Sequence, residues 1–289
     1  MDTMDKLWEV AEANRRQVLA TGATSGVVTG YAASVQPVMA GTVILTEPAG
    51  LEQGMVSIDT RAGTVAAYRA IPAGGKARPI ILVVQEIFGL HEHIKDVCRR
   101  FAKLGYCAIA PSLYDRQGDV TQLTSFDDIR PIVARVPDAQ VMADLDATVV
   151  WAAKTGIGNA SKLGITGFCW GGRITWLYAA HNPELKAGVA WYGRVTGDTS
   201  PNQPAHPVDV ADKIQAPVLG LYGAEDTGIP VASLDQLTAA LGTGTKSHIH
   251  VYPGSPHAFF ADYRPSYRRA DAEDGWARCT AWFKANGIA

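Results

Sequence analysis

The sequence predicts an α/β fold in which helices cover both faces of a mostly parallel sheet. Short apolar runs alternate with longer segments of helical character along most of the chain, which is typical of such sheets. Residues 80–84 are apolar at every position, as expected for a strand that is covered on both faces. With 289 residues, of which 47% are hydrophobic, the chain is long enough to bury a large core.

The segment before residue 41 differs from the rest of the chain. Arg15 and Arg16 precede a mildly apolar run, rich in Ala, Gly, Thr and Val, that ends near Ala40. This pattern resembles a twin-arginine export signal, but a helix and a loose arm on a neighbouring subunit of a homo-oligomer fit it equally well. We therefore divide the chain into an N-terminal extension, 1–40, and a domain, 41–289. The protein is expected in the periplasm if the extension acts as a signal, and in the cytoplasm otherwise.

Eight apolar segments bounded by glycine, proline or polar residues are predicted to be strands. The first two flank a turn at Arg61-Ala62-Gly63, and the fourth is closed by Pro111. In chain order the strands span residues 55–58, 64–69, 80–84, 106–110, 162–168, 186–192, 217–222 and 247–252.

Five segments between or after these strands are predicted to be helices. In the clearest of these helices, one face carries Ile94, Val97, Cys98, Phe101 and Leu104. In chain order the helices span residues 91–104, 138–154, 171–181, 229–241 and 267–286. Two long connections, 112–137 and 193–207, have no regular pattern, and we expect them to shape the functional pocket because long loops in compact domains are usually functional.

A Gly-x-Cys-x-Gly motif joins the strand at 162–168 to the next helix, with Cys169 at its centre. This is the spacing of a nucleophile elbow, with cysteine where serine usually stands. Gly167 and Gly171 leave room for a sharp, strained turn. The helix N-terminus that follows favours a thiolate. The alternative is a buried structural cysteine in a glycine-rich turn.

Two later residues complete a possible catalytic triad. Asp226 and His257 each follow a predicted strand, where the carboxyl ends of parallel strands meet. The chain order of nucleophile, acid and histidine is that of the α/β-hydrolase fold. Taken alone, Asp226 could be a helix cap and His257 a structural histidine. Taken together with Cys169, they predict nucleophilic catalysis, with His257 as base and Asp226 orienting it.

An oxyanion hole needs two backbone N–H groups close to the nucleophile. The residue after the nucleophile, Trp170, supplies one, and the loop after an earlier strand supplies the other. Ile87, in the motif Gln85-Glu86-Ile87-Phe88-Gly89 after the strand at 80–84, is the candidate. Glu86 is then an acid at the same edge of the sheet, unless it is a loop carboxylate that faces solvent.

From about residue 55 to 285 the chain resembles the dienelactone hydrolases, also called carboxymethylenebutenolidases. The matching motifs are Gln85-Glu86-Ile87-Phe88-Gly89, Ser112-Leu113-Tyr114-Asp115-Arg116-Gln117, Gly167-Phe168-Cys169-Trp170-Gly171-Gly172, Gly223-Ala224-Glu225-Asp226 and Pro256-His257-Ala258-Phe259. The resemblance implies an α/β-hydrolase fold and a cysteine hydrolase of lactones or small activated esters that needs no cofactor.

The resemblance also implies roles for charged residues. Glu86 helps to generate the thiolate when substrate arrives, and Arg116 contacts a substrate carboxylate. The family has a second arginine four residues after the histidine, where this chain has Ala261. Arg264, three residues further, is the candidate to replace it in substrate binding.

The composition argues against several other classes of function. A formal net charge of −2 argues against a nucleic-acid partner. No run of 18 apolar residues occurs, so we predict neither a membrane-spanning helix nor a membrane partner. The four cysteines form no CxxC pair, so neither a disulfide framework nor a metal site is predicted. Two alternatives to a hydrolase stay open, a non-catalytic scaffold for ligand binding or assembly and a thiol redox sensor at Cys169.

Overall fold

The computed structural model describes residues 45–289. The predicted N-terminal extension, 1–40, lies outside the described residues, and so do the first residues of the predicted domain. The described residues form one sheet of eight strands in the order β1-β2-β4-β3-β5-β6-β7-β8. The strands are β1 Leu51–Thr60, β2 Gly63–Pro72, β3 Arg78–Val84, β4 Cys107–Pro111, β5 Gly158–Phe168, β6 Ala187–Trp191, β7 Val218–Gly223 and β8 His248–Tyr252.

Helices connect most of these strands. They are α1 Glu92–Lys103, α2 Phe126–Ala134, α3 Asp138–Lys154, α4 Trp170–His181, α5 Val231–Leu241 and α6 Arg269–Ala285, with a short 3₁₀ helix at Pro207–Lys213. The first two strand pairings, β1 with β2 and β2 with β4, are antiparallel, and the others are parallel. The predicted α/β fold with a mostly parallel sheet is confirmed.

The burial of the apolar run in β3 indicates that the sheet is covered on both faces. Every side chain from Ile80 to Val84 is completely buried. Successive side chains of a strand point to opposite faces, so complete burial of five in a row requires cover on both faces.

The predicted loop 112–137 contains a helix, α2, that the sequence analysis missed. Ser125 caps its start, because its Oγ accepts a hydrogen bond from the backbone N–H of Asp127 at 3.2 Å. The helix is short and contains Pro131, so its apolar side chains do not repeat over enough turns to be recognised.

Parallel pairing brings the carboxyl ends of β3, β5, β6, β7 and β8 to one edge of the sheet. Glu86, Cys169, Tyr192, Asp226 and His257 each follow one of these ends within a few residues. Residues far apart in the chain are therefore close together in space.

A buried ion pair fixes the segment after His257 to α1. Arg100 on that helix donates from Nε to Asp96 at 2.7 Å and from Nη2 to Asp262 at 2.5 Å. Burial alone raises the pKa of the Asp262 carboxyl, but Arg100 outweighs it and lowers that pKa to about 2. The segment from His257 to Arg264 is thus held by charge pairing as well as by apolar packing.

Three further observations concern metal ions, membranes and cysteines. Among residues 45–289, no cluster of three or more His, Cys, Asp or Glu side chains is arranged to hold a metal ion. The helices in that part of the chain are all too short or too polar to cross a bilayer. The four cysteines are free thiols, and Cys98, Cys107 and Cys279 are buried.

Candidate active site

Cys169 lies in a strained turn between β5 and α4. Its backbone has φ +54° and ψ −113°, a conformation that residues with a side chain rarely adopt. The two flanking glycines make this turn possible. A Cβ at Gly167 would lie 2.1 Å from the carbonyl oxygen of Gly171, and one at Gly171 would lie 2.4 Å from that of Val84. The predicted role of both glycines is confirmed.

His257 and Asp226 meet at the same edge of the sheet. Nδ1 of His257 lies 2.6 Å from Oδ2 of the buried Asp226, whose Oδ1 accepts from the backbone N–H of Gly228 at 2.9 Å. The imidazole also forms a hydrogen bond with the side chain of Cys169. Cysteine, histidine and aspartate are therefore connected in the order that nucleophilic catalysis requires.

These contacts strongly favour the charged form of His257. Burial by itself lowers the pKa of the imidazole, but the Cys169 thiolate and the Asp226 carboxylate outweigh it and raise that pKa to about 10. An imidazolium is the form of His257 at neutral pH that follows from this shift.

The raised pKa of His257 predicts a pH-dependent stability. A folded-state pKa above the ordinary 6.5 stabilises the fold fully below pH 6.5, and the contribution is lost as the pH rises through about 10. We expect the free energy of unfolding of the wild type, relative to His257→Asn, to decrease between pH 7 and pH 10. Urea denaturation of both proteins at several pH values measures it. If the difference in free energy of unfolding between the two proteins stayed constant across this range, the raised pKa of His257 would be contradicted.

The candidate oxyanion donors border the same cavity as Cys169. Ile87 and Trp170 line it together with Cys169 and His257. Trp170 is the first residue of α4, so its backbone N–H has no acceptor inside the helix. Ile87 lies in the turn after β3 that Gly89 closes by donating its N–H to the carbonyl oxygen of Glu86 at 3.2 Å.

Glu86 is buried beside the cavity and is bound by three side chains. Tyr263 donates its hydroxyl to Oε2 at 2.7 Å, Nε2 of His91 lies 3.2 Å from the same oxygen, and Nη2 of Arg264 lies 4.0 Å from it. Burial raises the pKa of the Glu86 carboxyl, but Arg264 and then His91 outweigh it and hold that pKa far below its usual range. Glu86 is therefore an ionised carboxylate, not a loop acid that faces solvent.

Arg264, the candidate for substrate binding, lies beside the Glu86 carboxylate. Its buried guanidinium packs on the ring of Phe88, with 4.6 Å from Cζ to the ring centre, and on that of Tyr263, at 4.9 Å. It is absent from the described residues that line the cavity. The buried Glu86 requires a nearby positive charge, and Arg264 supplies it.

Arg116 is likewise not a cavity residue. Its Nη2 forms an ion pair with Oδ2 of Asp144 on α3, and Arg116 does not line the cavity in the described part of the chain. The Asp144 side chain is almost completely buried, so it needs this counter-charge. The assignment of Arg116 to a substrate carboxylate, which the family resemblance implied, stays a prediction, and in this structure the partner of Arg116 is Asp144.

The cavity beside Cys169 has a volume of about 330 Å³. Both long connections contribute to its walls, as predicted: Phe126, Arg130, Val133 and Ala134 lie in the first, and Arg194, Gln203 and His206 in the second. The sequence analysis missed these lining residues individually, because irregular loops carry no periodicity from which contacts could be inferred.

Arg173 on α4 holds the second of these walls in place. It donates two hydrogen bonds to Asp138, at 2.8 and 2.7 Å, and a third to the carbonyl oxygen of Ala205 at 2.7 Å. Its Nε also donates to Nδ1 of His206 at 3.3 Å. The start of α3 and the loop before the 3₁₀ helix are thereby fixed to the helix that follows Cys169.

Tyr192 is a further cavity residue that the sequence analysis did not identify. It has φ +38°, and its ring centre lies 5.1 Å from that of His257. Its buried hydroxyl has no hydrogen-bond partner among residues 45–289. Burial, together with the nearby Glu86 carboxylate, raises the pKa of Tyr192 well above its usual value, so the hydroxyl stays protonated. The only signal in the sequence was its position at the carboxyl end of a predicted strand, 186–192.

The regions of similarity to known proteins include all residues of this site. The model of the dienelactone hydrolase family matches residues 65–287. A Methylorubrum extorquens protein named as a carboxymethylenebutenolidase is 58% identical over 278 residues, covering 96% of this chain and 94% of its own length. A protein of the same name from Escherichia coli K12 is 51% identical over 261 residues, covering 89% and 96%. A crystal structure of a Klebsiella pneumoniae protein named as a dienelactone hydrolase has a TM-score of 0.79 at 53% identity, covering 81% of this chain and 98% of that chain.

Proposed function

The chain belongs to the dienelactone hydrolase family of ester-hydrolysing enzymes, and from this premise we propose that it opens lactones or small activated esters with a Cys169–His257–Asp226 triad. The observation that carries the proposal is the elbow cysteine, whose side chain is hydrogen-bonded to a histidine that Asp226 orients. This arrangement supports nucleophilic catalysis, in which a base activates the nucleophile and an acid orients the base.

In the first half of the reaction the Cys169 thiolate adds to the substrate carbonyl carbon. The backbone N–H groups of Ile87 and Trp170 stabilise the resulting oxyanion. When the intermediate collapses, the carbon–oxygen bond to the leaving group breaks, and His257 gives that oxygen a proton. The product of this step is a thioester on Cys169, and in a lactone the released hydroxyl stays attached to the acyl group.

In the second half, water replaces the leaving group. Neutral His257 takes a proton from water as the water oxygen adds to the thioester carbon. The carbon–sulfur bond then breaks, and the acid product leaves. Cys169 departs as a thiolate and again faces an imidazolium. Since a thiolate is itself a good leaving group, we expect lactones and activated esters to be better substrates than amides.

A substrate panel tests this proposal. We expect hydrolysis of 4-nitrophenyl acetate and of small lactones, and almost none of the matching anilide. Mass spectrometry after a rapid acid quench should find the acyl group on the peptide that contains Cys169. If no ester or lactone is hydrolysed, the non-catalytic scaffold is the better interpretation. The redox-sensor alternative is weaker, because the other three cysteines are buried.

We also propose that Tyr263 positions Glu86 for its role in forming the thiolate. Of the three side chains around the Glu86 carboxylate, Tyr263 lies closest, and its hydroxyl donates a hydrogen bond at 2.7 Å. We expect Tyr263→Phe to change kcat/KM several-fold in the wild-type background and to have little further effect in Glu86→Gln. Steady-state kinetics of the double-mutant cycle measures this coupling.

The matched control for this cycle is Tyr106→Phe. Tyr106 is also a buried tyrosine. Its hydroxyl donates to the carbonyl oxygen of Ile288 at 3.1 Å, and both residues are separated in sequence from the residues of the site. Its effect should be the same in both backgrounds. Equal effects of Tyr263→Phe with and without Glu86 would show that Tyr263 acts only on stability.

A further inference from the structure

His206 is a buried residue of the cavity wall, and both of its ring nitrogens have partners. Nε2 lies 3.0 Å from the backbone carbonyl oxygen of Asp198, and Nδ1 accepts a hydrogen bond from Nε of Arg173 at 3.3 Å. A carbonyl oxygen can only accept a hydrogen bond, and a guanidinium can only donate one. Both contacts are therefore satisfied only by the neutral ring that carries its proton on Nε2.

Arg173 connects this ring to the helix that follows Cys169. It lies one helical turn after Cys169, and its backbone N–H donates to the carbonyl oxygen of that residue at 3.3 Å. The guanidinium is fixed by its two hydrogen bonds to the buried Asp138 and also donates to the carbonyl oxygen of Ala205. His206 is thus in contact with a permanently charged group whose place is set by other partners.

The charges around the ring determine what its protonation does. The charged groups that face His206 are Arg173 on α4, Asp138 on α3, Arg194 in the loop and Asp209 in the 3₁₀ helix. Asp138 is already paired with Arg173, and Asp209 accepts the backbone N–H of His206. A proton on Nδ1 removes the acceptor for Arg173 and places a second positive charge 3.3 Å from its Nε. Repulsion over this distance is strong where water is excluded.

We propose that neutral His206 is a positioning residue, which holds the loop 193–207 against Arg173 as the second wall of the cavity. Protonation of the ring releases this wall. Arg194 and Gln203 lie in the same loop and line the cavity, so their places depend on it. The inference rests on the proposed function, because it concerns the substrate-binding step of that reaction.

Two variants separate the contacts of the ring. In His206→Asn, the amide oxygen takes the place of Nδ1 and accepts from Arg173, whereas no atom reaches Asp198. In His206→Gln, the longer side chain keeps a donor toward Asp198 and gives Arg173 no acceptor. Neither side chain titrates. At pH 7.5 we expect KM to be close to the wild-type value for the asparagine variant and about fivefold higher for the glutamine variant.

The pH dependence of KM distinguishes this role from a merely structural one. Histidine ordinarily titrates between about pH 5 and 8. With 4-nitrophenyl butyrate, a neutral substrate, lowering the pH from 7.5 to 5.5 should raise KM of the wild type about fivefold more than that of either variant. Titration of other groups cancels in this comparison, because the variants differ from the wild type only at position 206.

Hydrogen–deuterium exchange measures release of the wall without turnover. In peptides from 193–207, we expect exchange at pH 5.5 to be about fivefold faster in the wild type than in His206→Asn, and equal at pH 7.5. The wild type alone gives the same result once the intrinsic effect of pH on exchange is removed. The control is His248→Gln. His248 is exposed at the first residue of β8, and this variant should keep the full pH dependence of the wild type.

Two kinetic results would overturn the proposal. One is the same pH dependence of KM in the wild type and in both variants. The other is a glutamine variant with a lower KM than the asparagine variant at pH 7.5, because the contact with Asp198 would then hold the wall. Exchange data separate this failure from that of the hydrolase assignment. If esters are hydrolysed but exchange in 193–207 does not respond to the variants, only the role of His206 fails. If exchange responds as expected but no ester is hydrolysed, only the hydrolase assignment fails.

Discussion

Replacement of Cys169 by alanine is expected to lower kcat/KM for ester hydrolysis by at least about 10⁴-fold, because the reaction loses its nucleophile. Alanine keeps the Cβ atom, so the strain of φ +54° should be the same as in the wild type. Folding should therefore be nearly unaffected, which far-ultraviolet circular dichroism and urea denaturation can establish. Steady-state kinetics with 4-nitrophenyl acetate measures the loss.

Cys169→Ser is the informative companion variant. A serine hydroxyl must give up its proton during attack, whereas the thiolate has lost its proton beforehand. We expect the serine variant to be much slower than the wild type, yet faster than the alanine variant. If the alanine variant keeps activity within about tenfold of the wild type, Cys169 is not the nucleophile.

The same substitution gives a spectroscopic result that does not depend on substrate. The thiolate contributes to the raised pKa of His257, so its removal should bring that pKa down from about 10. NMR titration of the histidine ring protons in Cys169→Ala follows this change. The titration links the charge state of the histidine directly to the sulfur.

The sheet and the elbow were predictable because their signals are local. A fully apolar run such as residues 80–84 identifies a strand covered on both faces, and the spacing Gly-x-Cys-x-Gly identifies the turn. In a parallel sheet the carboxyl ends of the strands lie at one edge. Strand assignments therefore suffice to bring Asp226 and His257 to Cys169 without any knowledge of the loops.

The arginines could not be placed in the same way. A motif specifies that a guanidinium is present, but long flexible side chains pair with whichever buried carboxylate lies within reach. Arg116 pairs with Asp144, which is 28 residues away in the sequence, and Arg264 lies beside Glu86. No local pattern reports these pairs, since both depend on how separate elements pack.

The cavity walls were predictable only as regions. The length of the connections 112–137 and 193–207 indicated function, but their residues have no shared periodicity. Arg130 lines the cavity because α2 forms within the first connection. This helix was not predicted from the sequence because it contains Pro131. The place of Arg130 in the cavity wall became visible only from the packing.

Replacement of His257 by asparagine is expected to have the second largest effect, a fall in kcat/KM of about 10³- to 10⁴-fold. Asparagine can still accept or donate a hydrogen bond, but it cannot carry the positive charge that faces the thiolate or protonate the leaving oxygen. Since the leaving group must gain a proton, the loss should be larger for alkyl esters than for 4-nitrophenyl esters. Comparing the two substrate classes in the variant measures the contribution of His257 as an acid.

His181→Asn is the matched control for this prediction. His181 also contacts a carboxylate, with Nε2 at 2.8 Å from Oδ2 of Asp146, but it lies at the end of α4 and is substantially exposed. Its replacement should leave kcat/KM close to the wild-type value. The absorbance of the thiolate near 240 nm should diminish at neutral pH in His257→Asn and persist in His181→Asn, because of these two histidines only His257 is hydrogen-bonded to Cys169. A thiolate signal of full amplitude in His257→Asn would mean that the helix N-terminus, and not the histidine, maintains the nucleophile in its reactive form.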